Sequence, residues 1–257
     1  MQRYFILEDK NWSKQSVFIT GDDVHHIKRV MRGKIGDSII CNRKDGKAAI
    51  CEITEIGDEH VKAKLVEWLE HESELPVEVT IVQGLPKGDK FDFILQKGTE
   101  LGASVFIPFR ASRSVVVWDE KKMKKKKIRF EKIVKEASEQ SHRTMIPKIE
   151  DAVNLQQLIE IGKSYDVCLF AYEEEAKKDS FQSFAEILKK VKQGMRLLIC
   201  IGPEGGFTEQ EVDELKNYGF QPVRFGPRIL RTETASLYAL ASISYHFEEL
   251  RWNECKQ

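Results

Sequence analysis

The sequence predicts an α/β protein in two parts: a small strand-rich domain over residues 1–70 and a C-terminal domain over residues 76–257 built on a parallel sheet. Three observations carry this. Residues 1–70 hold short, partly alternating apolar segments divided by turn residues, the pattern of a small β-barrel. From Val77 onward strand and helix patterns alternate strictly, which implies a parallel sheet covered on both faces. Near the C-terminus two strand patterns each run into a Gly-Pro turn that feeds a helix.

In the first part strands are expected over residues 17–20, 38–41, 48–53 and 60–66, parted by Lys44-Asp45-Gly46 and Ile56-Gly57-Asp58. One helix interrupts over 22–31, with Gly33 as its stop. Residues 69–76, polar and ending in Pro76, form the linker. The second part then reads as strand 77–82, helix 91–101 closed by Gly102, strand 103–109, a long helix 121–142, strand 166–171 and helix 183–191. Strand 197–201, helix 209–218, strand 222–225 and a final helix 234–251 complete it. Thr208 and Glu211 have the spacing of a capping box for the helix at 209.

Composition narrows the class. Apolar residues are 41% of the 257 and charged residues 32%, as in a soluble globular chain. No apolar run approaches the roughly 20 residues that span a bilayer. The first nine residues lack a signal-peptide core, so a cytoplasmic location is expected. The five cysteines form no CxxC pair, and Cys41, Cys168 and Cys200 lie in apolar strand patterns, as small buried hydrophobes do. No histidine or cysteine spacing suits a metal, and none is expected. Net charge is zero, yet residues 76–148 carry 16 Lys+Arg against 9 Asp+Glu. The run from Lys121 to Arg129 holds much of that excess, so it reads either as a solvated helix face or as a surface for a polyanion.

The two glycine turns carry the chemistry. Gly202-Pro203-Glu204-Gly205-Gly206-Phe207 follows the apolar run 197–201, and Gly226-Pro227-Arg228-Ile229-Leu230-Arg231-Thr232-Glu233-Thr234-Ala235 follows 222–225. No G-x-G-x-x-G follows a strand. Gly162-Lys163-Ser164 lacks the earlier glycine of a P-loop, because position 157 is Gln157. Both turns nonetheless stand at the carboxyl ends of strands, where open α/β sheets bind ligands. Tight turns do not need Arg228, Arg231 and Glu233 together, and such groups suit the orientation of a polar or anionic substrate.

Ile201-Gly202-Pro203-Glu204-Gly205-Gly206 followed by Leu230-Arg231-Thr232-Glu233-Thr234-Ala235 resembles the signature of the ribosomal RNA small subunit methyltransferase E family, which are knotted (SPOUT-type) enzymes. The likeness spans the chain. His25-His26-Ile27-Lys28-Arg29-Val30-Met31-Arg32 is similar to the family's N-terminal segment. Gln83, Lys87, Lys90, Lys97 and Glu100-Leu101-Gly102 match its middle segment. Glu136-Ala137-Ser138-Glu139-Gln140-Ser141-His142-Arg143 matches the next, with His142 where glycine is common. The resemblance implies a PUA-like RNA-binding β-barrel, a C-terminal α/β domain threaded into a trefoil knot, S-adenosylmethionine as methyl donor, and a homodimer. It also implies methylation of N3 of one uridine in 16S rRNA, free or within the 30S subunit.

For the donor, the resemblance implies backbone and apolar contacts from Leu198, Ile201, Gly202, Pro203, Glu204, Gly205 and Gly206, and from Phe225, Gly226, Arg228, Ile229, Leu230, Thr234 and Ala235. A third loop is expected from Phe170 and Ala171 through Tyr172 and Glu173. Methyl transfer from a sulfonium is an in-line displacement, so the main task is alignment. The N3 proton must leave, and a guanidinium beside it would stabilise the imide anion; Arg231 is the candidate. Glu233 or Glu204 accepts the proton or holds Arg231, and a capping or salt-bridge role for Glu233 fits equally. RNA contacts are expected from Arg3, Lys28, Arg29 and Arg32 on the barrel and from Lys87, Lys90, Arg110, Arg113 and Arg143, mostly to phosphates. Two other readings share much of this pattern: a non-catalytic RNA-binding or ribosome-assembly factor, and a knotted enzyme acting on ribose 2′-hydroxyls or tRNA.

Overall fold

The computed structural model describes residues 1–70, 73–116, 118–172 and 183–250. Contacts group them into two units. The first is Met1–Glu74 with Lys135–Ile146, and the second is Leu75–Val134 with the chain from Pro147 onward. Residues 135–146 thus group with the N-terminal strands, whereas the sequence reading placed them in the C-terminal domain.

The first unit is a five-stranded mixed sheet. Its strands are β1 (Arg3–Ile6), β2 (Ser16–Thr20), β3 (Ser38–Arg43), β4 (Ala48–Ile56) and β5 (His60–Leu69), in the order β1-β3-β4-β5-β2. β1 runs parallel to β3 and the remaining pairs are antiparallel. Val17 and Ile19, Ile39 and Cys41, and Val61 and Ala63 alternate inward with the two-residue period of a pleated strand and fill the core. The expected helix over 22–31 is a single α-turn, α1 (Asp22–His25), continued as a π-helix over His26–Val30. β1 escaped the sequence reading because all four of its residues are buried, which leaves no alternation to see.

The C-terminal end of the long helix joins this unit through buried polar contacts. The Arg143 guanidinium pairs with Glu74, with Nε 3.0 Å from Oε2. The Arg143 carbonyl accepts from Arg3 Nη1 at 3.2 Å and from Asn42 Nδ2 at 2.8 Å. His142, just before it, has φ of +59°. The position at which the family resemblance implies glycine is therefore a left-handed one, where a side chain is strained.

The second unit is a six-stranded sheet of β6 (Glu78–Gly84), β7 (Val105–Phe109), β8 (Lys148–Ile149), β9 (Val167–Ala171), β10 (Arg196–Ile201) and β11 (Gln221–Val223), in the order β11-β9-β10-β6-β7-β8. Every pairing is parallel, as expected from the strand–helix alternation. The helices are α2 (Lys90–Glu100), α3 (Glu120–Gln140), α4 (Leu155–Gly162), α5 (Phe184–Lys190), α6 (Glu209–Asn217) and α7 (Thr232–Ser244), the last continued as a π-helix over Tyr245–Leu250. Leu197, Leu198, Ile199, Cys200 and Ile201 are all buried, the continuous apolar run of a strand covered on both faces. Among the described cysteines Cys41, Cys51 and Cys200 are buried and Cys168 half-buried, and all four are free thiols. Burial pushes the Cys200 thiol well above its usual range.

Several boundaries differ from the sequence reading. β11 ends at Val223, so Arg224 and Phe225 belong to the following loop. α7 starts at Thr232, two residues early, which puts Arg231 at its N-cap. The expected Arg251 end lies outside the described residues. α4 was not foreseen; it is only eight residues long, although Asn154 and Gln157 cap it reciprocally.

Candidate active site

A parallel sheet brings the carboxyl ends of all its strands to one edge. The end of β9 at Ala171 and Tyr172 and the loops leaving β7, β10 and β11 therefore meet there, together with Lys90 of α2 and the first turn of α7. They enclose a cavity of about 650 Å³, within the range of small-molecule sites.

The first glycine turn is seated by contacts that leave no slack. An added Cβ on Gly84, the last residue of β6, would lie 2.3 Å from Pro203 N and 2.7 Å from the Gly202 carbonyl carbon. Only glycine permits that approach of backbone to backbone. Beside it runs a buried polar chain. Ser236 Oγ donates to Gln83 Oε1 (2.5 Å), Gln83 Nε2 donates to Thr232 Oγ1 (2.7 Å), and Thr232 Oγ1 donates to the Gly202 carbonyl (2.6 Å). Gln83 and Ser236 are fully buried. Each of these groups finds its partner inside the protein, as buried polar groups must. The network fixes the N-terminus of α7 against the turn after β10, so the two glycine segments form one wall.

The far side of the same turn is held by Glu211. Its Oε2 accepts from Thr208 N (2.8 Å) and Thr208 Oγ1 (3.0 Å), and its Oε1 accepts from Ser112 N (2.8 Å). The expected capping box is present and also anchors the loop that follows β7. In that loop Arg113 Nη1 donates to the Gly205 carbonyl at 3.2 Å.

The predicted donor-binding residues divide into two groups. Ala171, Ile201, Gly202, Pro203, Glu204 and Gly206 line the cavity from one side; Phe225, Arg228, Ile229, Leu230 and Ala235 line it from the other. Phe170 and Leu198 do not. Both are completely buried in the sheet core, because alternate residues of a strand point to opposite faces. Gly205, Gly226 and Thr234 are neighbours of lining residues and not lining residues themselves. Glu173 lies outside the described residues. Sequence reasoning missed Phe207, Val223, Arg224 and Thr232 as walls. Thr232 carried a signal, since it lies inside the second motif, but its role needs Gln83, 149 residues away.

The charged groups are unequally engaged. Lys90 Nζ lies 2.9 Å from Glu204 Oε1 and 3.5 Å from Glu233 Oε2. The hydrogen bond to Glu204 raises the Lys90 pKa above its ordinary value. Partial burial pushes the Glu204 carboxyl up, but hydrogen bonds from Lys90 and from backbone N–H groups outweigh it, so its pKa falls on balance. Lys90 is thus bound to two carboxylates at the cavity and is not a free phosphate contact. Arg231 is exposed at the cavity rim and makes no side-chain hydrogen bond or ion pair among the described residues, and Arg228 likewise. Glu233 is not itself a lining residue; its side chain is 16% exposed.

Of the other expected RNA contacts, Arg3 and Arg143 must be withdrawn. They are 6% and 3% exposed; Arg3 Nη1 donates to Asn42 and to the Arg143 carbonyl, Arg143 pairs with Glu74, and burial keeps both from a phosphate. Lys28 is tied to Asp58 and the Gly57 carbonyl. Arg29, Arg32, Lys87, Arg110 and Arg113 are exposed; Arg110 donates to the Ala152 carbonyl and Arg113 lines the cavity. Among the described residues no cluster of histidine, cysteine and carboxylate side chains could hold a metal ion.

The residues present fit the methyl donor that the resemblance implies. Gly206 lines the cavity with φ of +66°, a left-handed conformation that favours glycine, and open space stands where a side chain would begin. Phe207, Val223, Phe225 and Ile201 offer apolar surface for an adenine ring. The backbone of the two loops offers N–H and C=O groups to its edge.

Comparison with known proteins agrees with this arrangement. A family model described as an RNA methyltransferase domain matches residues 73–244, and one described as an RNA methyltransferase PUA domain matches residues 19–66. Ribosomal RNA small subunit methyltransferase E of Bacillus subtilis is 48% identical over 256 residues, covering 99% of this chain and 100% of its own length. The protein of the same name from Synechocystis is 31% identical, covering 89% of this chain and 73% of its own. The crystal structure of ribosomal RNA small subunit methyltransferase E from Neisseria gonorrhoeae bound to S-adenosyl methionine superposes with a TM-score of 0.83 at 29% identity, covering 95% of this chain and 97% of that one.

Proposed function

Because the chain belongs to the ribosomal RNA small subunit methyltransferase E family, we propose that it methylates N3 of one uridine in 16S rRNA, on the assembled 30S subunit. It is an S-adenosylmethionine-dependent rRNA methyltransferase with a PUA-like N-terminal domain. The N-terminal strands, joined by residues 135–146, serve as the RNA-binding domain, and the rest of 76–257 as the methyltransferase domain. The C-terminal segment is threaded as a trefoil knot, and the working unit is a homodimer in the cytoplasm. No described helix is long and apolar enough to cross a membrane.

The observation that carries this reading is the cavity wall. Two glycine turns are locked together by Gln83, Thr232 and Ser236, with an uncommitted arginine at the rim. When bound, the donor supplies an electrophilic methyl group. The chain's own part is orientation and charge. Ile201, Phe207, Val223 and Phe225 exclude water from one side of the cavity. Arg231 faces the position of the target base and stabilises the negative charge that develops as the N3 proton leaves. Glu233 receives that proton; Glu204, held ionised by Lys90 and by the Lys87 N–H, is the alternative acceptor. Lys90 in turn offsets the two carboxylates, so neither draws Arg231 away. The target uridine must leave its stack to reach the rim.

The test is mass mapping of 16S rRNA from cells lacking the protein, followed by treatment of their 30S subunits with purified enzyme and donor. One uridine without its N3 methyl group, restored by the enzyme, is the expected result. Full methylation in the deletion strain would refute the assignment.

A further inference from the structure

Residues 121–132 of α3 hold eight cations and one acid, Glu131. Three of the cations tie the helix down. Lys126 Nζ lies over the rings of Trp118 (4.9 Å) and Phe130 (5.7 Å), Lys127 Nζ is 3.5 Å from Asp151 Oδ1, and Arg129 pairs with Asp92. Met123 and Phe130 are buried on the same inward side.

The outward side is different. Lys121, Lys122, Lys124 and Lys125 are exposed and have no ion pair among the described residues. Some surface cations elsewhere in this unit find carboxylates, as Lys97 does with Glu100, Lys163 with Glu160 and Arg196 with Glu78, but none of these four lysines does. Residues three and four apart are neighbours on a helix, so Lys121, Lys124 and Lys125 surround Ile128, which is 73% exposed. Successive members of such a row are separated by about 6 Å along the axis. Like charges at this spacing repel and weaken the helix. The arrangement is unfavourable in isolation and favourable beside a polyanion whose charges repeat at similar intervals. An exposed isoleucine among lysines adds an apolar contact for a ribose or base face.

We propose that this face of α3 is a docking surface for the phosphate backbone of the rRNA substrate, apart from the cavity where the methyl group moves. The proposal rests on the reading of the protein as an rRNA methyltransferase. The face contributes affinity and register and no base readout, as phosphate contacts do. Its signature is electrostatic: each phosphate neutralised steepens the salt dependence of binding by about 0.7 to 0.9 in log–log slope.

The experiment compares the full-length protein with a variant in which Lys121, Lys122, Lys124 and Lys125 are all replaced by Gln. Binding to unmethylated 30S subunits is measured across salt concentration, alongside S-adenosylmethionine titration and turnover at saturating 30S. The variant should bind 30S at least about tenfold more weakly near 0.1 M salt, with a slope shallower by roughly 3. Donor affinity and maximal turnover should be unchanged. The corresponding Lys→Arg variant should keep the wild-type slope, which separates charge from helix damage. An unaltered slope in the Gln variant would overturn the proposal. So would loss of binding to phosphatidylserine vesicles with 30S affinity intact, which would point to a membrane. Failure of the wild-type protein to methylate 30S at any salt concentration would be a different result, bringing down the methyltransferase reading and this proposal with it.

Discussion

Replacing Gly84 by alanine tests whether the site depends on backbone contact between β6 and the first glycine turn. The added Cβ would stand 2.3 Å from Pro203 N, 2.6 Å from Pro203 Cδ and 2.7 Å from the Gly202 carbonyl carbon. Unstrained carbon contacts lie near 3.5–4.0 Å, so the segments must part by more than ~1 Å. The obstacle is main chain and cannot swing aside as a side chain would. Moving Gly202 also pulls its carbonyl from Thr232 Oγ1, now at 2.6 Å. Overpacking costs about 1–3 kcal/mol, and a broken buried hydrogen bond adds about 1–3 kcal/mol, giving roughly 2–6 kcal/mol. For a chain of this size each kcal/mol lowers the melting temperature by about 2–4 °C. Gly84→Ala should therefore melt roughly 4–24 °C lower. Calorimetric titration should show S-adenosylmethionine bound at least about tenfold more weakly, a loss of about 1.4 kcal/mol. A variant with wild-type melting and wild-type donor affinity would refute this account of how the turn is held.

Three further outcomes are expected. Arg231→Ala should lose more than about tenfold in turnover on 30S subunits while its donor affinity, read by calorimetry, stays the same; unchanged turnover would remove Arg231 from the mechanism. His142→Gly should raise stability to chemical denaturation by roughly 0.5–1 kcal/mol, because relief of the left-handed strain at φ +59° exceeds the entropy cost of glycine; a loss of stability would contradict it. Glu139 titrates at about 7 instead of 4.5, mainly because burial disfavours its charge and Asp23 adds repulsion, with Lys135 opposing. The folded state therefore holds a proton that the unfolded chain has lost, so this group makes stability fall as pH rises from about 4.5 to about 7. Glu139→Gln should remove that component from a pH series of denaturant midpoints.

Much of the architecture was legible because its signals are local. Alternation in Val17-Phe18-Ile19 and the apolar run ending at Ile201 announce half-buried and fully buried strands, and Thr208 with Glu211 announces the start of α6. Short or fully buried pieces such as β1 and the two-residue β8 carry no period to read. At the site, the two glycine motifs named most of the wall, because backbone-lined cavities leave glycine and proline in the sequence. The motifs could not say which strand residues face inward: Phe170 and Leu198 belong to the core and Val223 to the cavity, a difference of pleat phase. Arg3 and Arg143 misled for a related reason. An arginine reads as surface in a sequence, and only the fold shows Glu74 and Asn42 waiting for them. Gln83 and Gly84 act through residues more than a hundred positions distant, a contact that no local pattern records.

The central claim is that the turn at Gly202–Gly206, the loop Phe225–Leu230 and the first turn of α7 together cradle the methyl donor beside Arg231. A crystal soaked with S-adenosylmethionine tests it directly. Density for the donor between these segments, with its methyl group facing the Arg231 rim, is the predicted result. Donor bound elsewhere on the chain, or a cavity closed by the Phe207 and Phe225 rings, would contradict it.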